Sequence, residues 1–414
     1  MSEQKTIALV DWHWEGHHPT YFNYFVLALE ALGMEVLAIC PNPQEAEETA
    51  NNSRMDFGGE VVGRGQTQFT TIRIPARRFT RLRPDRISAI DWTIRHFRGI
   101  EQQVREWCQA SGKSVDLIYY ACMYDWEFEW AHLAQRFLRL PWTGLYLHAM
   151  TYRTPGKVHP RTGKVPRPEV MFSGRLCRGL NILDEGIVER VAKSIGKPVA
   201  VVPDLADQRP AVKEEDRILG ERLKRFAAGL PVVGLFGHLQ KSKGIITFLE
   251  AASMARDSGI CFALGGEINW ALFAESEAWK MQRTLAQCPH VWNHLARIPG
   301  EPCLNDMMAH CDVVFAGYWD FPHSSGIQSK AAFLKKPLII SEGYLMAERA
   351  RRFHLGEIIP QKDPRALFEA IVKITQDQSG WVARHQPRWT DYCQDNSFDR
   401  FKAGLKEIIA LERV

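Results

Sequence analysis

Residues suited to chemistry gather in a few short stretches of this chain. Ser324, Ser325 and Gly326 close a polar, aromatic-rich loop, Tyr318 to Ser325, and open a helical stretch. The first N–H groups of a helix lack intrahelical partners and sit at the positive end of its dipole, so they favour an anion. On that reading the three residues hold a diphosphate. The competing reading is an ordinary capped helix, with Ser325 and Gln328 spaced as a capping box. A second stretch, LFGHLQKSKG from Leu235 to Gly244, ends a strand at Gly237 and places Lys241 and Lys243 just beyond it. Lysines there suit a pyrophosphate as point charges, or form a solvated basic turn; the spacing is not that of a P-loop. In FALGGE, Gly266 and Glu267 follow a strand, and in RIPG Ile298 precedes another glycine turn. Such turns can present backbone to a flat base, or simply end a strand.

The N-terminal half offers a different set. Asp11–His18, DWHWEGHH, joins the first strand to the first helix. In doubly wound sheets that turn lies at the ligand crevice. Gly16 lets backbone approach a ligand closely. His13, Glu15, His17 and His18 offer acid, base or metal-ligand groups. His13 and His17 lie in a loop, where their spacing fixes no common face, which argues against a metal. His148 closes the run TGLYLH, where a histidine can bond a sugar hydroxyl or shuttle a proton, or be structurally satisfied. Asp11, Glu15 and His148 are the candidate catalytic groups.

The elements that must position these residues alternate. Strands are expected at Thr6–Trp12, Glu35–Cys40, Thr67–Ile74, Leu117–Met123, Trp142–His148, Gly179–Leu183 and Val199–Pro203, with helices between most of them. The clearest helix is Pro19–Leu32, with Phe22, Phe25, Val26, Leu29 and Leu32 on one face and Gly33 beyond its end. Residues 205–230 are charged and contain Pro210, as a connector would. A second alternating series runs from Val232 to about Thr375, and the rest is helical with Pro387 interrupting it. The expected division is 1–204, a linker 205–230, a second domain 231–385, and a helical segment 386–414 packing back toward the first domain. The pattern specifies an α/β chain with two doubly wound parallel sheets.

Bulk properties fit. The 414 residues suffice for two cored domains, and 45% hydrophobic with 24% charged residues is ordinary for a globular protein. A net charge of +4 does not argue for nucleic acid. Nine scattered cysteines with no Cys-x-x-Cys pair point to reduced thiols in a cytoplasmic protein. No secretory pattern opens the chain, and no long apolar run spans a membrane.

In order, these stretches resemble the retaining "group 1" (family four) glycosyltransferases of the GT-B fold. GHLQKSKG resembles their donor-phosphate segment and FALGGE the following strand and glycine turn. ARIPGEPCLNDMMAHCDVVFAG and SSGIQSKAAFLKKPLIIS resemble the approach to their signature motif and the motif itself. EGHHPTYFNYFVLALEALGMEV resembles the acceptor-side loop and helix, YLHAM the strand-end histidine, and ILDEG with VAVVPDLAD the run into the linker. The resemblance implies two Rossmann-like domains facing each other across a cleft. It implies sugar transfer from a nucleotide-diphosphate-sugar co-substrate to a glycan, lipid-linked or small-molecule acceptor, without a metal or other cofactor. It assigns donor binding to Gly16, Gly237, His238, Lys243, Gly266, Glu267, Ile298, Ser324, Ser325, Gly326 and Lys330. The sequence departs from the family at three places: Pro322 and Lys330 stand where it shows glutamates, and His238 where it shows arginine. An epimerase or phosphorylase on the same fold, or a non-catalytic nucleotide-sugar-binding relative, are the alternatives.

The acceptor side carries arginines. Arg77, Arg78, Arg81 and Arg83 lie beside Phe79 and Leu82, and a further basic loop spans Tyr152–Arg167. The readings are solvated loops, an anionic acceptor, or peripheral contact with an anionic membrane at its inner face. No nucleic-acid-reading motif accompanies the charge.

Overall fold

The computed structural model describes residues 4–54, 67–73, 86–159 and 163–410. The chain forms two compact units, Met1–Pro203 with Phe398–Val414, and Asp204–Ser397.

The first unit is built on β1 (Thr6–Val10), β2 (Glu35–Cys40), β3 (Thr67–Thr71), β4 (Leu117–Met123), β5 (Trp142–Tyr146), β6 (Leu180–Ile182) and β7 (Val199–Val201). They pair in parallel in the order β3-β2-β1-β4-β5-β6-β7. β1 and β4 are buried along their whole length. That is why they read as unbroken apolar runs rather than alternations: helices cover both sheet faces. Several strands stop short of the expected ends. Asp11 still donates its N–H to Ile39 O, but its carboxylate then takes the His13 N–H at 2.9 Å and turns the chain out of the sheet. Trp12 and His148 therefore sit in loops beyond the strands. The helix expected over 19–32 runs from His18 to Ala31, and Gly33 follows it at φ 74°.

The second unit has β8 (Val232–Phe236), β9 (Cys261–Gly265), β10 (Val291–His294), β11 (Val313–Ala316), β12 (Leu338–Ser341) and β13 (Gly356–Ile359), all parallel, in the order β10-β9-β8-β11-β12-β13. Counted within the unit this is the 3-2-1-4-5-6 order of a Rossmann sheet.

Two boundaries differ from those expected. Residues 205–230 are not a separate connector. The Glu214–Ala227 helix buries Leu219, Leu223 and Ala227 in the second unit's core with Cys303 and Met307. Its charged residues occupy the other face, so composition alone disguised an amphipathic helix. At the far end, the Trp389–Asp395 helix also belongs to the second unit, with Tyr392 fully buried and its hydroxyl 3.1 Å from Ser329 Oγ. The first unit regains the chain only at Phe398.

The returning helix, Phe398–Ile409, places Phe401 with ring centroids 4.9 Å from Phe25 and 6.2 Å from Tyr24. Asn181, fully buried, donates to Gly404 O at 2.9 Å and to Ala200 O at 3.2 Å, and accepts from the Tyr119 hydroxyl at 2.9 Å. A Cβ at Gly404 would lie 1.8 Å from Val201 O. In a free helix, Gly→Ala stabilises by about 1 kcal/mol. Here Gly404→Ala should do the reverse and cost about 1–3 kcal/mol by overpacking. A lowered melting temperature checks this; an unchanged or raised one counts against the close contact.

Candidate functional site

In the second unit, β8 and β11 are sheet neighbours at the point where strand order reverses, and the crevice outside their carboxyl ends is the expected ligand position. Two backbone contacts fasten the loops there. The Trp319 N–H donates to Ser242 O at 2.7 Å, and a Cβ on Gly244, at φ +75°, would stand 2.4 Å from Gly317 O. Only glycine permits that approach and that conformation together. The contact sets Lys243 over the loop after β11, its ammonium 4.0 Å from the Tyr318 ring centroid and 5.6 Å from that of Phe321. An ammonium held on an aromatic face is oriented by it. The Tyr318 hydroxyl is in turn 3.3 Å from Ser325 Oγ. Lys243 and the start of the Gly326–Phe333 helix thus share one locale.

That helix does not carry the expected capping box. Ser325 makes no side-chain cap, and Gln328 Nε2 turns away to donate to Met346 O at 2.9 Å. The competition was decided by burial: Gln328 is fully inside, and its amide takes the partner available there. Ser324 Oγ donates to Asp204, so its hydroxyl is engaged. Around Gly326 a Cβ would meet nothing within 4 Å.

The other candidates fall out unevenly. Gly266, at φ +140°, lies so close to the chain that its Cβ would be 1.7 Å from Gly237 O, and Leu239 N–H donates to Glu267 O at 2.8 Å. The loops after β8 and β9 therefore run together, with the His238 and Glu267 side chains exposed. Ile298 packs on the core that includes Tyr318 and Ile327. Lys241 pairs with Glu277. Lys330 departs from the donor-binding expectation. It is 5% exposed, and its ammonium contacts Asp207 O at 2.8 Å, Asn305 Oδ1 at 2.7 Å and Glu301 Oε2 at 2.8 Å. Three protein acceptors occupy its three donors, so it ties the start of the unit to its interior.

In the first unit, β1 and β4 are the corresponding neighbours. Asp11 is buried and accepts from His18 Nδ1 at 2.8 Å. His18 Nε2 is hydrogen-bonded to the Tyr124 hydroxyl at 2.8 Å, and the same hydroxyl is hydrogen-bonded to His17 Nε2 at 3.0 Å. These bonds form a continuous chain from the exposed His17 through Tyr124 and His18 to buried Asp11. A parallel pair is His13 Nε2 donating to Glu127 Oε1 at 2.6 Å, with the glutamate side chain 0% exposed and the imidazole 25%. His148 meets the Tyr124 ring edge to face at 5.4 Å. His148 and His18, the latter held by Asp11, therefore both contact one tyrosine. Glu15 and Gly16 are exposed. Tyr124 and Glu127 were not among the expected residues, although they directly follow β4 and the strand-end rule applied to β1 reaches them equally.

His17, His18 and Cys122 bring donor atoms within 4.8 Å of one another. Both His18 nitrogens are already bonded, and burial pushes the Cys122 thiol well above its usual range. Arg77, Arg78, Arg81 and Arg83 lie outside the described residues. Among the described residues no helix is long and apolar enough to cross a membrane.

Two measurements probe these environments. Burial pushes the Asp125 carboxyl up to about 7, offset in part by the Tyr146 hydroxyl donating to it. Its folded pKa exceeds the unfolded 3.8, so its contribution is full below about 4 and is lost as pH rises toward 7. Asp125→Asn should flatten the decline of melting temperature between about pH 4 and 7; an unchanged slope would contradict the buried acid. Lys330→Glu, which sets a carboxylate against three oxygens, should cost about 3–5 kcal/mol in a denaturant titration, and a neutral result would remove the assignment of Lys330 to the interior.

No protein-family model matches the chain, and no curated protein matches it. Solved structures do. Anabaena HepE in complex with UDP and glucose aligns at TM-score 0.65 and 14% identity over 99% of this chain and 100% of its own. Sucrose-phosphate synthase from Thermosynechococcus elongatus aligns at TM-score 0.66 and 15% identity over 98% of both chains. A glycosyltransferase from Rickettsia africae aligns at TM-score 0.64 and 10% identity over the full length of both. With the two parallel sheets and their strand orders, this likeness shows that the chain has the two-domain, Rossmann-like GT-B fold.

Proposed function

We propose that the protein is a glycosyltransferase that moves a sugar from a nucleotide-diphosphate-sugar donor to a hydroxyl acceptor. The observation that carries this reading is Lys243, oriented on Tyr318 beside the start of the Gly326–Phe333 helix. Support comes from HepE, whose structures hold UDP and UDP-glucose on the same fold.

In this reading the second unit binds the donor. The leaving diphosphate gains negative charge as the glycosidic bond breaks. An ammonium and the N–H groups at a helix start, fixed before the reaction, stabilise that charge where it develops. Gly237, Gly266 and the exposed His238 and Glu267 border the same strand ends and contact the nucleotide. No metal is required by this scheme, because protein groups neutralise the phosphates. The first unit receives the acceptor, a glycan, lipid-linked or small molecule. His13 backed by Glu127, and His148 beside Tyr124, are its acid–base groups; Asp11 positions His18 rather than touching substrate. Transfer with retention of configuration is the outcome the family resemblance implies. The protein works in the cytoplasm, and a peripheral membrane contact would fall to the arginines at 77–83.

UDP, GDP, ADP and dTDP in turn should be added to the purified protein while thermal unfolding is monitored. At a hundredfold excess over Kd, one of them should add about 2.7 kcal/mol of stability, and Lys243→Ala should weaken that binding about tenfold or more. If none of the four raises the melting temperature, the reading is wrong.

A further inference from the structure

His17, His18 and Cys122 converge from two neighbouring strand ends. β1 and β4 pair in parallel, so the turn after β1 meets the last residues of β4. His17 ends that turn, His18 starts the helix that follows, and Cys122 is the penultimate residue of β4. One donor atom from each lies within 4.8 Å of the other two. The two imidazoles stack with centroids 4.8 Å apart and ring planes 18° from parallel. Both Nε2 atoms are aimed at one point, since the Tyr124 hydroxyl lies 2.8 Å from that of His18 and 3.0 Å from that of His17.

Each of the three has a feature that a metal site needs. His18 Nδ1 is bonded to the Asp11 carboxylate at 2.8 Å. A carboxylate in that place fixes the tautomer of a ligating histidine and turns its Nε2 outward. His17 is exposed, which supplies an entry path to the buried His18 and Cys122. Cys122 is 3% exposed, and the Asp11 and Glu127 carboxylates both act on it electrostatically. They keep the lone thiol protonated, but they favour a cation, and a bound cation deprotonates the thiol that ligates it. Two nitrogens and a sulfur form a borderline-soft set that suits Zn²⁺, whereas Mg²⁺ and Ca²⁺ take oxygen. Zn²⁺ holds imidazole nitrogen at about 2.0–2.1 Å and thiolate at about 2.3 Å, so its tetrahedral donors stand roughly 3.3–3.6 Å apart. Movements of about 1 Å close the present spacing to that geometry. The two bonds to the Tyr124 hydroxyl yield to the ion, and the Asp11 bond is kept.

We propose that His17, His18 and Cys122 bind Zn²⁺, with Asp11 positioning His18 and a water molecule in the fourth place. On binding, the thiol releases its proton to solvent, and the sulfur and both Nε2 atoms give lone pairs to the ion. The transfer scheme uses no ion, so this site stands or falls independently of it. The full chain, untagged and stripped with a chelator, is titrated with Co²⁺ and then with Zn²⁺. Co²⁺ should raise a thiolate-to-metal charge-transfer band in the near ultraviolet, saturating at about one equivalent. Zn²⁺ should displace it with a Kd of about 1 μM or tighter, and Mg²⁺ should do neither. Cys122→Ser should remove the band. His17→Ala, at an exposed position that spares the fold, should weaken Zn²⁺ binding about tenfold or more. Tyr124→Phe, which keeps the ring but removes the competing hydroxyl, should tighten it. The proposal is overturned if the unsubstituted chain gives no band, or if the band survives Cys122→Ser. It is also overturned if His17→Ala binds Zn²⁺ unchanged, or if Tyr124→Phe weakens binding. No nucleotide enters this experiment, so a nucleotide-induced thermal shift without metal binding sinks this site alone. Metal binding without the shift sinks the transferase reading alone.

Discussion

The second unit's site depends on one backbone contact, the approach of Gly244 to the Gly317 carbonyl. It joins the turn after β8 to the loop after β11, and Trp319 N–H to Ser242 O repeats the fastening one step away. The chemistry there is built on it. Lys243 is delivered onto Tyr318, and Tyr318 reaches the residue that starts the next helix. A side chain at position 244 would push the loops apart and uncouple the lysine from the helix. The glycine is thus required by a distance between two chain segments rather than by flexibility, and the positive φ adds to that requirement.

The first unit uses different physics. Its strand ends present buried carboxylates, Asp11, Asp125 and Glu127, each met by a histidine or a tyrosine. A buried carboxylate is expensive unless hydrogen-bonded. Asp11 meets that demand through His18 and the His13 N–H, and Asp125 by shifting its titration upward. Glu127 meets it through Oε1, which accepts from His13. One set of strand ends is thus organised around an ammonium and main-chain amides, the other around buried carboxylates met by imidazoles and phenols.

Much of this was legible in the residues. Fully buried parallel strands announce themselves as short apolar runs, so β1, β2 and β4 and the two-domain plan could be read directly, whereas Lys243 and Ser325 were joined only by the phosphate reading given to each and by the family resemblance. What escaped depended on partners distant in sequence. Whether Gln328 caps its own helix or reaches Met346 is settled by burial that no local pattern encodes. Lys330 looked like a misplaced ligand-binding residue until Asn305, Glu301 and Asp207 surrounded it. The Glu214–Ala227 helix hid because charge dominated its composition, although Leu219 and Leu223 carry a helical spacing. The pairing of His13 with Glu127 spans 114 positions, and no motif links them.

The chain leaves the first unit at Pro203 and comes back at Phe398, so the second unit is contiguous and the first is not. During vectorial synthesis, an amino-terminal domain ordinarily folds before its later-made neighbours. Here the Val201 and Asn181 surface that receives Gly404 must wait until the final helix has emerged. The later-translated unit can therefore reach its finished state first. The earlier one remains an open sheet, with Phe25 and Tyr24 uncovered, through most of translation, and that interval is when the nascent polypeptide is most in need of a chaperone.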